Sequence, residues 1–430
     1  MNGNYKGLLQ TIYGEPTVDG DLWDTVASVG EGDEAAYAAA LVAIGRGFGY
    51  YCCVEPAVED ERTPGVALDA ILGGWPTVQH LWQGIAKHPN VTANVERLCR
   101  QKRSVKLNAA LAASPGVSDK TVKRLLRSKS PQVIGALLGN AALSEDVLRR
   151  TEARAREAGV YICYVVSSGK RNASMPVDLV ESWLTCSNEQ ARLEALESPV
   201  APRDILWERL TQNARFDAES SVVMSICDER SNADGDMIDW FLTRWEEQVR
   251  DELQSGTQRR IMGQWTAEAA LKHPRARPTT LERVYARYGG VSEWVCMTAV
   301  QAPSSPDWVR QDAVCRLANA SVVRLARANH PSVSPECART LYECGFLAAA
   351  ADCENAPGDL LVDVLEAKLR EAPEVKGDSA NSAPRSKASD AVSILSHGNM
   401  PLDVRRECAR WFPEVLWLVA RDGFMGRASK

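Results

Sequence analysis

The chain of 430 residues contains an internal repeat, and this repeat limits the folds available to the chain more than any other feature. Three successive segments begin at His88, Ser114 and Asn140, so their starts are 26 residues apart in both steps. Each segment opens on histidine or a small polar residue and continues into apolar residues with helical spacing. Self-similarity at such a period is typical of stacked helical hairpins rather than of one compact core.

The same opening recurs along the rest of the chain, at Ser174, Ser198, His273, Ala302, His330, Asn355 and His397. A proline stands where the apolar helical pattern begins at Pro176, Pro202, Pro278, Pro306, Pro335 and Pro401. The first turn of a helix tolerates proline because its N–H would be unpaired there in any case. Thr92, Ser118 and Ser144 take the corresponding place as predicted N-caps. Each unit is therefore predicted to be two short helices joined by a tight turn.

One helical hairpin of this size cannot bury its apolar face alone, so the units are expected to stack. The sequence therefore predicts an all-α fold, an α-solenoid (superhelix) of helix-turn-helix repeats of roughly 24–29 residues. The predicted order is an irregular acidic N-terminal helical cap (1–87), basic repeats (88–158), partly degenerate repeats (159–370), a disordered insertion (371–390) and a C-terminal repeat and cap (391–430).

Two segments depart from the repeat pattern. Residues 371–390 are nearly free of large apolar side chains, and this composition is typical of disorder. Residues 159–169 read GVYICYVVSSG and are apolar on all sides. Periodicity alone therefore leaves both a buried helix and a short strand open for this second segment.

The repeat segments resemble a known family. The patterns HP-x-V-x-x-x-V-x-x-L from His88 and SP-x-V-S-x-x-x-V-x-x-L-L from Ser114 look like leucine-rich repeat variant and HEAT-like repeats of bacterial proteins. The resemblance covers most of 88–155, 174–212 and 270–412, although the polar residue before proline is typically asparagine in that family. It implies a scaffold with many kinds of partner. It does not imply the iron–sulfur centre of some members, because too few cysteines lie near the N-terminus.

The histidines are the first residues to consider for chemistry. His88, His273, His330 and His397 occupy the same turn position in different units, where other units have serine or asparagine. They are therefore predicted to be hydrogen-bonding turn residues rather than metal ligands or catalysts. Phosphate-binding loops, nucleophile elbows and zinc-binding motifs are absent from the sequence. The sequence thus predicts no catalytic, cofactor or metal site, and a protein that is not an enzyme.

The net charge of −6 is the sum of three blocks whose charges differ in sign. Residues 1–86 carry 3 basic and 12 acidic side chains, residues 87–156 carry 15 and 5, and the remainder carries 32 and 39. In stacked repeats equivalent positions form a row, and Arg97, Lys123 and Arg149 are each 26 apart, so the middle block predicts a basic stripe. Its members are Arg97, Arg100, Lys102, Arg103, Lys106, Lys120, Lys123, Arg124, Arg127, Lys129, Arg149 and Arg150.

The basic stripe is open to several interpretations. It is a solvated helix face, a surface attracted to the acidic N-terminal block of the same chain, or a site for a phosphate backbone or an acidic protein surface. Aromatic residues are nearly absent from 87–156, which disfavours stacking on single-stranded bases. The predicted function is a non-enzymatic scaffold that binds a protein partner through its concave or basic surface. The alternative is binding of a nucleic-acid duplex backbone through residues 87–156, and an enzyme of the DNA glycosylase type is less favoured.

The sequence also carries signals of compartment. An apolar run of 18 residues does not occur, and the N-terminal residues lack the profile of a signal peptide. The twelve cysteines are spread without a disulfide framework, which favours reduced thiols. The sequence therefore predicts a cytoplasmic protein that does not bind membranes.

Overall fold

A computed structural model describes residues 5–48, 53–212, 221–254, 264–290, 292–319, 335–343, 345–353, 355–370 and 384–426. These residues form α-helices and a 3-10 helix at Pro413–Val415, and there is no strand among them. The predicted all-α class is therefore confirmed. Within the same residues, no helix is both long enough and apolar enough to cross a membrane.

The chain divides into two compact units, and this division differs from the boundaries expected from sequence. Unit 1 contains Met1–Gln101 and Ser334–Lys430, and unit 2 contains Lys102–Val333. The helices of unit 1 are α1 (Tyr5–Tyr13), α2 (Gly20–Ala27), α3 (Glu34–Gly47), α4 (Glu55–Glu59), α5 (Gly65–Gly74), α6 (Gln79–Lys87), α7 (Ala93–Lys102, which ends at the boundary), α22 (Pro335–Glu343), α23 (Leu347–Asp352), α24 (Gly358–Arg370), α25 (Pro384–Leu395), α26 (Leu402–Cys408) and α27 (Leu416–Phe424).

The helices of unit 2 are α8 (Val105–Ala113), α9 (Asp119–Leu125), α10 (Pro131–Leu138), α11 (Glu145–Glu157), α12 (Ile162–Gly169), α13 (Val177–Leu184), α14 (Glu189–Ala195), α15 (Arg203–Gln212), α16 (Ser221–Ile226), α17 (Gly235–Gln254), α18 (Gln264–Lys272), α19 (Pro278–Tyr288), α20 (Glu293–Gln301) and α21 (Asp307–Asn319). We call the even-numbered helices of this unit the even row and the odd-numbered helices the odd row. Each helix of the even row packs on the next helix of that row, from α8 to α20. In the odd row, α15 packs on α17 and α17 packs on α19.

Segments that the sequence analysis singled out as irregular fall partly inside these helices. Residues 159–169, for which a helix and a strand were both open, contain α12, whose Val165 and Val166 are buried. Of the predicted disordered insertion 371–390, residues 384–390 belong to α25, and 371–383 lie outside the described residues. The predicted turn at His330 also lies outside them.

The helices begin at the residues that the sequence marks as starts. Pro278 is the first residue of α19, and Pro176 is the N-cap of α13. Thr92 Oγ1 accepts a hydrogen bond from the Val95 N–H at 3.2 Å, and Ser118 is the N-cap of α9. The side chains of Thr92 and Ser118 accept hydrogen bonds from backbone N–H groups that have no partner within the first turn of the helix.

One polar residue shapes the turn before each of seven helices, namely α7, α9, α11, α13, α15, α19 and α26. Its carbonyl accepts a hydrogen bond from the N–H three residues later, and its side chain accepts one from the N–H two residues later. This pair of bonds occurs at His88, Ser114, Asn140, Asn172, Ser198, His273 and His397. His88, His273 and His397 therefore have the turn role predicted from sequence.

Four of these residues, Asn140, Asn172, His88 and His397, also reach a backbone carbonyl earlier in the chain. Asn140 Nδ2 donates to the Ala112 carbonyl at 2.8 Å, and Asn172 Nδ2 donates to the Leu138 carbonyl at 2.7 Å. In unit 1, His88 Nε2 lies 2.9 Å from the Asp60 carbonyl oxygen. These contacts satisfy buried carbonyls at helix ends and join one turn to the turn of the preceding repeat.

Unit 1 is built from both ends of the chain. Helix α27 packs on α2 and α3, and α1 packs on α24 and α26. The Gly32 N–H donates to the Phe424 carbonyl at 2.9 Å, and the Tyr37 ring stacks on the Phe424 ring with centroids 5.1 Å apart. A buried ion pair adds to this contact, since Arg421 lies 3.3 Å from Asp60. The N-terminal and C-terminal helices thus share one core.

Candidate functional site

The predicted basic stripe is distributed over both units. Arg97 and Arg100 lie on α7 in unit 1, and the other members belong to unit 2. Arg124 is half-buried and donates to Asn108 Oδ1 at 3.1 Å, whereas the remaining members are exposed. Arg97 donates to Asn94 Oδ1 of its own helix at 2.7 Å. The positive charge is thus accessible, but its members differ in what they contact.

Helix α9 and the turn that follows it carry three of the basic residues. The buried side chains of α9 are Thr121, Val122 and Leu125, which turn one side of the helix toward the core. Lys120 and Lys123 lie three residues apart on the opposite side of α9, and Arg127 follows in the turn just after the helix ends. All three side chains are exposed. We call Lys120, Lys123 and Arg127 the α9 face.

The α9 face makes no ion pair with any carboxylate among the described residues. Arginines farther along the odd row are used differently, since they join neighbouring helices. Arg149 of α11 lies 2.5 Å from Asp178 of α13, and Arg287 of α19 lies 3.0 Å from Glu246 of α17. Internal ion pairing accounts for those arginines and leaves the α9 face without such an explanation.

The part of the predicted stripe on α11 is already neutralised. Arg149 pairs with Asp178 and also lies 3.6 Å from Glu145, and Arg150 pairs with Asp146 one turn earlier on its own helix. The hydrogen bond from Arg149 holds the pKa of the Asp178 carboxyl below its usual value. Basic residues at the 26-residue spacing therefore do not all carry free charge.

Further basic residues of unit 2 lie at the beginnings of even-row helices. Lys106 is exposed in the first turn of α8, and Lys129 is exposed just before the N-cap of α10, Ser130. Arg103 precedes α8 with a positive φ of 50°, which is uncommon for a residue with a side chain. None of these three side chains forms an ion pair within the described part of the chain.

Two exposed tyrosines of the even row were not predicted from the sequence. Tyr161 is the N-cap of α12 and is 66% exposed, and Tyr164 in the first turn of α12 is 40% exposed. Because residues 159–169 were interpreted as apolar on all sides, the exposure of these two tyrosines was not predicted. A signal was present, because Tyr161 and Tyr164 are spaced by three residues and therefore share one helix face.

We next consider metal ligands and titratable groups among the described residues. They contain no group of three histidine, cysteine, aspartate or glutamate side chains placed to hold a metal ion. Burial lowers the pKa of His273 to about 4 and raises that of Cys408 to about 12, so both groups are neutral near pH 7. The arrangement is suited to binding through charge and apolar contact.

Comparison with other proteins gives no further guide to this surface. No family model, curated protein or solved structure matches the chain.

Proposed function

We propose that the protein is an α-solenoid interaction scaffold, and that its α9 face binds an acidic surface of a protein partner. The observation that carries this proposal is the absence of ion pairs at the α9 face among the described residues, in a row where Arg149 and Arg287 bridge neighbouring helices. Exposed cations without internal partners attract anionic surfaces and accelerate their association.

The solenoid part of the proposal is supported by the packing within unit 2. Successive even-row helices pack on each other, and the turn residues Asn140 and Asn172 bond to the carbonyls of the repeat before them. Such nearest-neighbour contacts are the basis of repeat proteins, in which each unit stabilises the next. A scaffold of this kind presents long rows of side chains to other molecules.

A protein partner fits the α9 face better than a nucleic-acid duplex does. A duplex carries evenly spaced phosphates, so it gains most from cations that continue over several repeats. In the odd row, the free charge on α9 is followed on α11 by Arg149 and Arg150, which are both paired with carboxylates. A confined patch of three charges matches a cluster of carboxylates on a folded protein. Nucleic acid remains an outcome of the test.

The test is affinity purification of the tagged full-length chain with and without nuclease treatment. The variant combines Lys123→Glu with Arg127→Glu. The matched control combines Arg150→Glu with Arg244→Glu, which makes the same change in net charge at arginines that pair with a carboxylate of their own helix. We expect a stoichiometric protein partner that survives nuclease, is retained by the control and is lost from the α9 variant.

Three results would contradict the proposal. The first is the absence of a stoichiometric protein partner. The second is a partner that binds both variants equally, which would remove the role of the α9 face. The third is retention of duplex nucleic acid that depends on the α9 face and falls steeply with salt, which would support the alternative function.

A further inference from the structure

The N-terminal ends of α8, α10 and α12 lie on one edge of the even row. Asn140, just after α10, donates to the carbonyl of Ala112 at the end of α8, so the C-terminal ends of these two helices adjoin. A Cβ on Gly139 would lie 3.1 Å from the Ser168 carbonyl oxygen, so the C-terminal ends of α10 and α12 adjoin as well. The three helices have similar lengths and therefore also begin beside one another.

Two tyrosines form a platform on this edge. Asn188 Nδ2, at the N-cap of α14, donates to the Tyr161 hydroxyl at 3.0 Å, so this ring extends from α12 toward α14. On the other side, Tyr164 lies over Gly135 of α10, where an added Cβ would come within 2.9 Å of the Tyr164 Cε1 atom. Glycine at this position lets the ring lie close to α10. The two rings thus bridge three successive helices while remaining 66% and 40% exposed.

Charge changes sign along the same edge. Lys106 begins α8 and Lys129 precedes α10, and both are exposed without an ion pair among the described residues. The tyrosines follow on α12, and an exposed carboxylate, Glu189, begins α14. Val105, at the start of α8, is 47% exposed and adds apolar surface at the basic end. The edge therefore runs from basic to aromatic to acidic.

We infer that this tyrosine edge, formed by Lys106, Lys129, Tyr161 and Tyr164, binds an extended peptide segment in which carboxylates are followed by apolar side chains. The inference rests on the proposed function, because it assigns the kind of segment that the protein partner presents. Neighbouring helices pack about 8–10 Å apart, so the distance from α8 to α12 is about 20 Å and corresponds to about six extended residues. Carboxylates would meet the lysines, and apolar side chains would cover the exposed faces of the tyrosine rings.

A single-stranded nucleic acid would also use cations and aromatic rings. It carries a phosphate at every nucleotide, however, and a strand continuing past the tyrosines would meet Glu189. A peptide needs negative charge only at the lysine end. The reversal of charge along the edge therefore favours the peptide.

The experiment measures fluorescence anisotropy of labelled probes with the full-length chain. The first probe is a 12-residue peptide with four aspartates followed by a short spacer, a leucine and a phenylalanine. The second probe has the same composition in scrambled order, and the third is a 12-nucleotide single-stranded oligonucleotide. We expect the ordered peptide to bind at least tenfold more tightly than the scrambled one, with salt-sensitive affinity.

Variants assign the binding to the edge. Tyr161→Ala combined with Tyr164→Ala should weaken the ordered peptide at least tenfold, and Tyr161→Phe should bind as the unmodified chain does. Lys106→Glu with Lys129→Glu should weaken it by a similar factor. The control is Trp308→Ala, which removes a 53% exposed aromatic side chain from α21 and should leave the affinity unchanged. Far-ultraviolet circular dichroism and thermal unfolding establish that each variant is folded.

Several results would overturn the inference. These are equal binding of both peptides, a Kd above about 1 mM for the ordered peptide, unchanged affinity in the folded tyrosine variant, and preferential binding of the oligonucleotide. The proposed function fails separately. If the α9 variant loses its protein partner while the tyrosine variant binds the peptide normally, only the tyrosine edge is rejected. If the tyrosine variant loses the peptide while the α9 variant keeps the partner, only the α9 face is rejected.

Discussion

At the scale of single residues, different side chains make the same hydrogen bond at the turn position. Ser114, Asn140 and His88 each accept a hydrogen bond from the N–H two residues later. The amide of Asn140 and the imidazole of His88 also contact a carbonyl of an earlier repeat. The choice of residue at this position therefore sets how strongly a repeat is joined to the one before it.

His273 provides a prediction about pH. Its side chain is fully buried, and burial lowers its pKa to about 4, below the usual value of 6.5 for histidine. Between these values the unfolded chain binds a proton that the folded chain does not, so stability falls as the pH falls from 7 to 4.5. We expect this group to contribute about 2 kcal/mol to the loss.

The measurement is urea unfolding of the full chain at pH 7 and at pH 4.5, with His273→Asn as the comparison. Asparagine occupies the same turn position at Asn140 and Asn172 and does not titrate, so this variant should lose less stability on acidification. Equal losses in the two proteins would contradict a neutral, buried His273.

At the scale of helices and turns, Asn140 contributes to the contact between successive repeats. Its Nδ2 donates to the carbonyls of Ala112 and Ser114, both at 2.8 Å, and its Oδ1 accepts from the Ala142 N–H. Removing the side chain takes the Nδ2 donor from the Ala112 carbonyl and leaves the Ser114 carbonyl with only the Val117 N–H, and a buried group that loses its partner costs about 1–3 kcal/mol. Removing the Asn140 side chain should therefore lower the free energy of unfolding more than removing a side chain that bonds only within its own turn.

We predict a graded response at this position. Asn140→Ala should lower the free energy of unfolding by about 2–4 kcal/mol, since both the turn and the contact with the preceding repeat lose hydrogen bonds. Asn140→Ser should cost less, because serine keeps the local bond as Ser114 does. Urea unfolding followed by tryptophan fluorescence gives the order, and equal stability of the alanine and serine variants would show that the local bond contributes nothing.

The elements that could be predicted from sequence are those with local signals. Ser118 caps α9 and Pro278 begins α19, because a helix start is encoded by the residues at the start itself. The pairing of Arg149 with Asp178 joins residues 29 apart in different repeats, and no local pattern specifies it. This pairing is what separates the free charge on α9 from the neutralised charge on α11. The repeat period therefore locates the basic positions without showing which of them are available to a partner.

At the scale of the whole molecule, the assignment of both chain ends to unit 1 had no sequence signal. The Trp411 indole donates to the Gly14 carbonyl at 3.0 Å, across 397 residues of sequence. Sequence periodicity predicts contacts between segments that follow each other along the chain, so it does not predict contacts between helices at its opposite ends. The predicted terminal caps, 1–87 and 391–430, thus differ from the observed unit, whose core both segments fill.

The shared core of unit 1 gives a prediction about its stability. A chain truncated after Val415 lacks α27, and with it the Phe424 ring on Tyr37 and the Arg421 partner of Asp60. The matched control is truncated after Gly426 and keeps every one of these contacts. Since α2 and α3 pack on α27, the first truncation should expose their apolar faces and lower their protection against hydrogen exchange.

Hydrogen–deuterium exchange read by mass spectrometry separates the two units in this experiment. Peptides from α2 and α3 should exchange at least tenfold faster after removal of α27, whereas peptides from α10 and α12 in unit 2 should keep their rates, because their packing partners are all intact. Unchanged exchange in α2 and α3 would show that the N-terminal helices are stable without the C-terminal one. An equal increase in α10 and α12 would show that the chain unfolds as one cooperative body, and the division into two compact units would then have no energetic counterpart.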